Sequence, residues 1–81
     1  MKKLLFFSTP HCVKCTSLKN QMTDIEGIDA VSIEHVDAST PSGLSQAQKF
    51  GVTGVPYLVL FDGEIELGVA KDIDELENLL L

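Results

Sequence analysis

The chain has 81 residues, enough for one small domain over residues 1–81 and too few for a second. It is 44% hydrophobic and 22% charged, a balance typical of globular proteins and not of disordered ones. The net charge of −6 argues against nucleic acid and anionic membranes as partners, because no cluster of Lys or Arg is available to hold phosphates.

The apolar run Leu4–Phe7 is too short for a signal peptide or a membrane span. We therefore expect a monomeric, cytoplasmic protein in a reducing compartment. A close pair of cysteines in that environment is more often catalytic or metal-binding than structural.

The first half of the chain predicts a strand, a helix and a second strand. Residues 2–8 contain four consecutive apolar side chains, which indicates a strand buried on both faces. A helix is expected over residues 12–25. The second strand is expected over residues 31–36, with His35 on the same face as Ile33.

A second helix is predicted to begin at Thr40 and Pro41. These residue types are preferred at a helix N-cap and at the first helical position. The buried side of this helix should consist of residues spaced three apart: Leu44, Ala47 and Phe50.

A β-hairpin and a last helix complete the predicted elements. Residues 57–61 form another apolar strand, and Asp62-Gly63 has the residue types of a type I′ turn. The return strand should cover residues 64–67 and be interrupted by Gly68. The last helix should pack four side chains inward: Ile73, Leu76, Leu79 and Leu80.

The predicted order of elements is βαβαββα. A strand, helix and strand in succession imply a right-handed parallel crossover, and the closing hairpin adds antiparallel strands. The expected fold class is α/β, with a four-stranded mixed sheet and helices on both faces.

The only two cysteines, Cys12 and Cys15, are separated by two residues at the junction of the first strand and first helix. Thiols at this spacing can close a small disulfide ring and open it again, which indicates thiol–disulfide exchange. Cys12 is the candidate nucleophile, because a helix N-terminus favours its thiolate. Cys15 lies one turn further, on the apolar face with Leu18 and Met22, and is the candidate resolving thiol.

Three residues beside the cysteines are candidates for substrate contact: His11, Val13 and Lys14. Lys14 is interpreted as a solvated side chain with a modest favourable effect on the Cys12 thiolate. His11 is either a titrating group or a neutral surface residue.

Two other interpretations of the cysteine pair stay open, a zinc site and an inert buried pair. Zinc needs four ligands, and only His11 and His35 remain to supply the others, with His35 alone on a predicted strand. We expect no metal and no cofactor other than the redox-active Cys12–Cys15 disulfide.

Pro56 opens a predicted central strand, where proline is unfavourable because it cannot donate a hydrogen bond to a partner strand. The position is understandable if the Val55–Pro56 bond is cis and Pro56 faces a ligand or the disulfide. A plain loop proline is the alternative.

Two blocks of the sequence resemble thioredoxin. The first is the strand followed by Cys-x-x-Cys at the start of a helix, and the second, more specific one covers residues 50–64. Together the similarity extends over nearly the whole chain. It implies a thioredoxin-like fold in which a cis Pro56 packs beside the cysteines and the Val55 backbone pairs with an extended substrate segment. It also implies that Gly54 and Gly68, which have no side chains, leave the surface around the site low enough for a protein partner to dock.

The resemblance implies a protein-disulfide reductase recharged by a thioredoxin-reductase-type flavoenzyme. One alternative is a glutathione-dependent, glutaredoxin-like electron donor, for example to ribonucleotide reductase, and another is a non-catalytic binding module. The chain departs from glutaredoxins at Gly54, where they have Thr, and at Val69, which follows Gly68 in place of a second glycine. It departs from thioredoxins at Phe6, where they usually bury an aspartate.

Overall fold

The computed structural model describes residues 1–81. Its four strands are β1 (Lys2–Ser8), β2 (Val31–Asp37), β3 (Tyr57–Asp62) and β4 (Ile65–Ala70). They form one mixed sheet in the order β2-β1-β3-β4, in which β1 and β2 are parallel and the other two pairings are antiparallel. The predicted four-stranded mixed sheet is confirmed.

Three α-helices cover the sheet: α1 (Val13–Met22), α2 (Pro41–Lys49) and α3 (Ile73–Leu80). Because side chains alternate along a strand, β1 supplies Leu4 and Phe6 to one core and Leu5 and Phe7 to the other. Buried residues of α1 and α3 pack in the first core, and Ala47 of α2 packs in the second. The four consecutive apolar residues of β1 thus reflect burial on both faces, as predicted.

Helix α1 is shorter than the predicted 12–25 helix at both ends. Cys12 has an extended backbone (φ −96°, ψ 104°) and is the N-cap. At the other end, Asp24 and Ile25 donate to carbonyls three residues back, and Gly27 adopts φ +87°. The chain therefore tightens into turns after Met22 and leaves Ile25 outside the helix, although its side chain still packs against the core.

The N-cap of α2 is confirmed, but its predicted buried side is partly wrong. Thr40 Oγ1 accepts a hydrogen bond from the Gly43 N–H at 3.0 Å, and Pro41 is the first helical residue. Ala47 is buried and Phe50 half-buried, whereas Leu44 is 49% exposed. The helix contacts the β2 end through Gly43, where the backbone of Asp37 approaches too closely for a side chain.

Alanine at Gly43 is expected to destabilise the protein by about 2 kcal/mol or more, since a Cβ there would overlap the Asp37 carbonyl group. Helix propensity alone predicts the opposite, a gain of about 1 kcal/mol. Urea unfolding decides between them, with Ser45→Ala on exposed α2 surface as a control that should stay within about 0.5 kcal/mol of the parent. A Gly43→Ala protein of undiminished stability would contradict the close approach.

The turn before α2 also holds a carboxyl group with a shifted pKa. Asp37 Oδ1 accepts hydrogen bonds from the Ser39 hydroxyl at 2.6 Å and from the Ser39 N–H at 2.9 Å. These two bonds, the hydroxyl first, hold the pKa of Asp37 below its ordinary value.

Alanine at Asp37 should lower the urea midpoint at neutral pH, and this deficit should shrink in acid below about pH 4. A carboxyl whose folded-state pKa is depressed stabilises the fold above its unfolded-state pKa. It loses that contribution as pH falls through the folded-state pKa. Urea midpoints measured across the acid range test this, with exposed Asp24→Ala as the control. A deficit independent of pH would contradict the assignment.

The β3–β4 hairpin differs from the prediction in its turn and in its second strand. The loop is Gly63-Glu64, and only Gly63 has positive φ (+64°), so the turn is not type I′. Strand β4 continues to Ala70, and Gly68 pairs with Leu60 inside it. The expected interruption is instead a bulge, because the pairing skips Leu67 between Leu60 and Phe61.

The four apolar residues predicted to face inward from the last helix do so. Leu76 is fully buried, and Ile73, Leu79 and Leu80 pack against the same core as α1. Asp72 begins the helix by accepting a hydrogen bond from the Glu75 N–H at 2.8 Å.

Candidate active site

Cys12 lies where the chain leaves β1 and enters α1. Its N–H donates to the Thr9 carbonyl at 3.3 Å, which closes the turn between strand and helix. Its Sγ accepts a hydrogen bond from the Cys15 N–H at 3.0 Å. Cys12 therefore takes the N-cap position usually held by Ser, Thr or Asp. Its sulfur accepts a hydrogen bond from an N–H of the first helical turn that has no partner within the helix.

Cys12 and Cys15 are joined by a disulfide, with their Cα atoms 5.2 Å apart. The two residues differ in accessibility: Cys12 is half-buried, whereas Cys15 is only 4% exposed. Cys15 belongs to the same buried cluster as Leu18, Phe6 and Leu58. A reagent arriving from solvent would thus meet Cys12 first.

The surface beside Cys12 contains the three sequence-predicted contact residues. His11 and Lys14 are exposed, and Val13 is 84% exposed even though it is apolar. An apolar side chain left uncovered next to the disulfide offers contact area to a docking partner.

The segment before β3 supplies the second part of the site. The Val55–Pro56 peptide bond is cis, as the resemblance implies. Val55 packs against both cores of the sheet, and Gly54 is exposed with open space beside its Cα. Pro56 and Lys14 line one notch of about 200 Å³ between α1 and the start of α3.

Gly68 lies elsewhere in the molecule. It is an internal residue of β4, and its Cα faces α3, where a Cβ would come within 2.5 Å of Leu79 Cδ2. The structure therefore brings Gly68 to the helix-packing side of the hairpin and does not bring it to the surface around Val13.

Sequence reasoning did not identify Lys71 as part of the site. Lys71 lies between β4 and α3, its Nζ is 6.0 Å from the Tyr57 ring centroid, and it lines the notch with Pro56 and Lys14. Two of the six lysines of the chain, Lys14 and Lys71, thus line one notch together with Pro56. Only the pairing of β3 with β4 brings Lys71 there, so no local motif could have revealed it.

A second cavity, of about 220 Å³, lies on the other side of α1 and is lined by Cys15 itself. Lys19 and His35 also line it. His35 is exposed overall, but its ring lies 5.5 Å from the ring of Phe6, its partner in the parallel β1–β2 register. The sequence pattern predicted that His35 shares a face of β2 with Ile33, but not that this face meets the cavity of Cys15.

No group of three or more His, Cys, Asp or Glu side chains is arranged to hold a metal ion. None of the helices has the length and apolar character required to span a membrane.

Two sequence comparisons connect this chain to known proteins. A family model described as a thioredoxin-like domain matches residues 1–80. A probable thioredoxin from Archaeoglobus fulgidus is 32% identical over 80 residues, which cover 99% of this chain and 87% of that protein.

Solved structures share the fold. Thioredoxin 1 from Thermosipho africanus superposes with a TM-score of 0.77 at 22% identity, covering 96% of this chain and 89% of that chain. Oxidised thioredoxin O2 from Arabidopsis thaliana superposes with a TM-score of 0.78 at 18% identity, covering 96% and 69%.

A thioredoxin fold with a Cys-x-x-Cys disulfide at the N-terminus of α1 defines a thiol–disulfide oxidoreductase. The chain belongs to the thioredoxin-like family.

Proposed function

We propose that this oxidoreductase reduces protein disulfides, with Cys12 as the attacking thiol and Cys15 as the resolving thiol. The observation that carries the proposal is their unequal accessibility on one helical turn, half-buried against 4% exposed. In an exchange reaction the accessible sulfur meets the substrate, and the covered sulfur reacts only within the complex.

The reaction starts from the reduced form of the protein. The Cys12 thiolate attacks one sulfur of the substrate disulfide, forms a mixed disulfide and releases the other sulfur as a thiolate. Cys15 then loses its proton and attacks Cys12 Sγ, which forms the Cys12–Cys15 disulfide and releases the second substrate thiol. The Cys15 N–H and the α1 dipole, both directed at Cys12 Sγ, stabilise its thiolate before attack and as a leaving group.

The substrate surface of the proposal comprises Val13, His11 and Lys14 on one side and Gly54, Val55 and Pro56 on the other. Exposed Val13 gives apolar contact area, and the Val55 backbone offers pairing to an extended segment of the partner. No cofactor beyond the disulfide takes part in this scheme, and the compartment that suits it is the reducing cytoplasm.

The electron source in this proposal is a thioredoxin-reductase-type flavoenzyme. The similarity to a probable thioredoxin over 99% of the chain supports it. The net charge of −6 disfavours glutathione, an anionic tripeptide, as the partner that must approach the disulfide.

Two coupled assays separate the electron sources. NADPH consumption with insulin as substrate is followed with thioredoxin reductase in one series, and with glutathione and glutathione reductase in the other. We expect turnover with thioredoxin reductase and at least about tenfold less with glutathione. Equal or faster turnover with glutathione would instead support the glutaredoxin-like function. Absence of turnover in both series, together with failure to reduce insulin with dithiothreitol, would support a binding module.

A further inference from the structure

The buried thiol Cys15 must lose a proton before it can attack, and its surroundings oppose this. It is 4% exposed and packs among apolar side chains, where a thiolate is disfavoured. Cys12 cannot accept this proton during resolution, because its sulfur is then bound to the substrate. The structure must therefore provide another route for the proton.

The cavity beside Cys15 offers such a route. It has a volume of about 220 Å³, and three hydroxyl side chains form part of its wall: Ser8, Thr9 and Thr16. A polar cavity of this size can hold water hydrogen-bonded to its walls. Water there can relay a proton between the thiol and the His35 imidazole, which lines the same wall and can act as a general base.

The sheet register holds His35 in this position. His35 is paired with Phe6 in the parallel β1–β2 ladder, so both side chains project to the face covered by α1. The Phe6 ring is 1% exposed and packs beside the imidazole ring, with the two ring centroids 5.5 Å apart. The imidazole is thus held at the cavity wall and stays open to solvent on its other side.

The charged groups around the imidazole can be named for each packed element. Helix α1 presents Lys19, which lines the cavity of Cys15 and also a neighbouring groove of about 400 Å³ that His35 shares. The 3₁₀ turn Ile28–Ala30 presents Asp29 at that groove. Strand β1 presents apolar Phe6, and no carboxylate lines the cavity of Cys15.

We propose that His35 accepts the Cys15 proton through water in this cavity during resolution of the mixed disulfide. The Cys15 S–H bond breaks, the proton passes to the imidazole, and the Cys15 sulfur forms a bond with Cys12 Sγ. The bond between Cys12 Sγ and the substrate sulfur breaks, and the departing thiolate takes a proton from the imidazolium or from solvent. The dithiol is oxidised and the substrate disulfide is reduced by the same two electrons.

This proposal rests on the roles proposed for Cys12 and Cys15, and a single-turnover experiment tests the two separately. Reduced protein is mixed rapidly with a symmetric nitrobenzoate disulfide, whose two halves become coloured as each is released. The first phase reports the attack by Cys12 and the second reports resolution by Cys15. A first phase that survives Cys12→Ser would overturn the proposed function, whatever His35 does.

The variant is His35→Asn, and the matched control is Glu34→Gln at the adjacent residue, whose side chain lies on the opposite face of β2. Glu34 forms a salt bridge with Lys3 at 3.0 Å. We expect His35→Asn to keep the first-phase rate within twofold and to slow the second phase at least about tenfold near pH 7. The control should leave both phases within twofold.

The pH profile distinguishes proton transfer from a structural role. In the parent protein the second-phase rate should level off once the imidazole is unprotonated. In His35→Asn it should continue to rise until the Cys15 thiol itself ionises, so that the two proteins converge at alkaline pH. A second phase unchanged in His35→Asn overturns the inference, as does an equal slowing of both phases or a slowing by the same factor at every pH.

Discussion

Replacing Cys12 with serine is expected to lower the rate at which the protein catalyses disulfide reduction by at least about 1,000-fold. Only the background rate of dithiothreitol alone should remain. The hydroxyl of serine is not ionised near neutral pH and does not attack disulfides. The fold should be preserved, because a serine Oγ can accept the Cys15 N–H at the N-cap as well as the sulfur does. Insulin precipitation in the presence of dithiothreitol measures the activity, and urea unfolding of the reduced proteins checks the stability.

Cys15→Ser is the matched variant, with the same substitution one helical turn away. It should also lose turnover, but with Cys12 still reactive it should accumulate a mixed disulfide with the substrate, detectable by mass spectrometry. Full activity of Cys15→Ser on protein disulfides would show that the two-thiol mechanism is wrong. Substantial activity of Cys12→Ser would show that the nucleophile is misassigned.

Aspartate at Phe6 is expected to have the largest effect on stability, about 4 kcal/mol or more at neutral pH. The ring is 1% exposed in the core below α1, so the change removes a large apolar side chain and buries a carboxyl group in that core. For a protein of ordinary stability, about 5–15 kcal/mol, this loss approaches unfolding. Urea denaturation at several pH values measures it.

The pH dependence of Phe6→Asp has a definite sign. Burial raises the folded-state pKa of a carboxyl, so the folded form retains its proton to higher pH than the unfolded form does. The variant should therefore be least destabilised in acid and lose stability as pH rises through that interval. Phe6→Leu keeps the site apolar and should cost about 1.5 kcal/mol or less at every pH. A pH-independent deficit in Phe6→Asp would indicate that the carboxylate reaches solvent.

Local sequence patterns were sufficient to predict an element wherever the residue types involved strongly favour one structure. The apolar runs of β1 and β3 predicted central strands, and Thr40 with Pro41 predicted the start of α2. Where packing competes with pattern, prediction was weaker. Leu44 has the spacing of a buried residue. However, α2 approaches β2 so closely at Gly43 that the helix packs through its small residues Gly43 and Ala47, and Leu44 stays exposed. Gly68 was expected to interrupt the return strand, but the irregularity is a bulge at Leu67, and β4 continues to Ala70.

The sequence alone determined that two thiols with two residues between them lie at the start of a helix, because spacing and capping are local properties of the chain. The resemblance added the family and the expectation of a cis Pro56. Only the tertiary structure decided what surrounds the disulfide. The β3–β4 pairing brings Lys71 to the notch with Pro56, and the parallel β1–β2 register brings His35 to the cavity of Cys15. Such neighbours are set by strand pairing between distant residues, which leaves no mark in the local sequence.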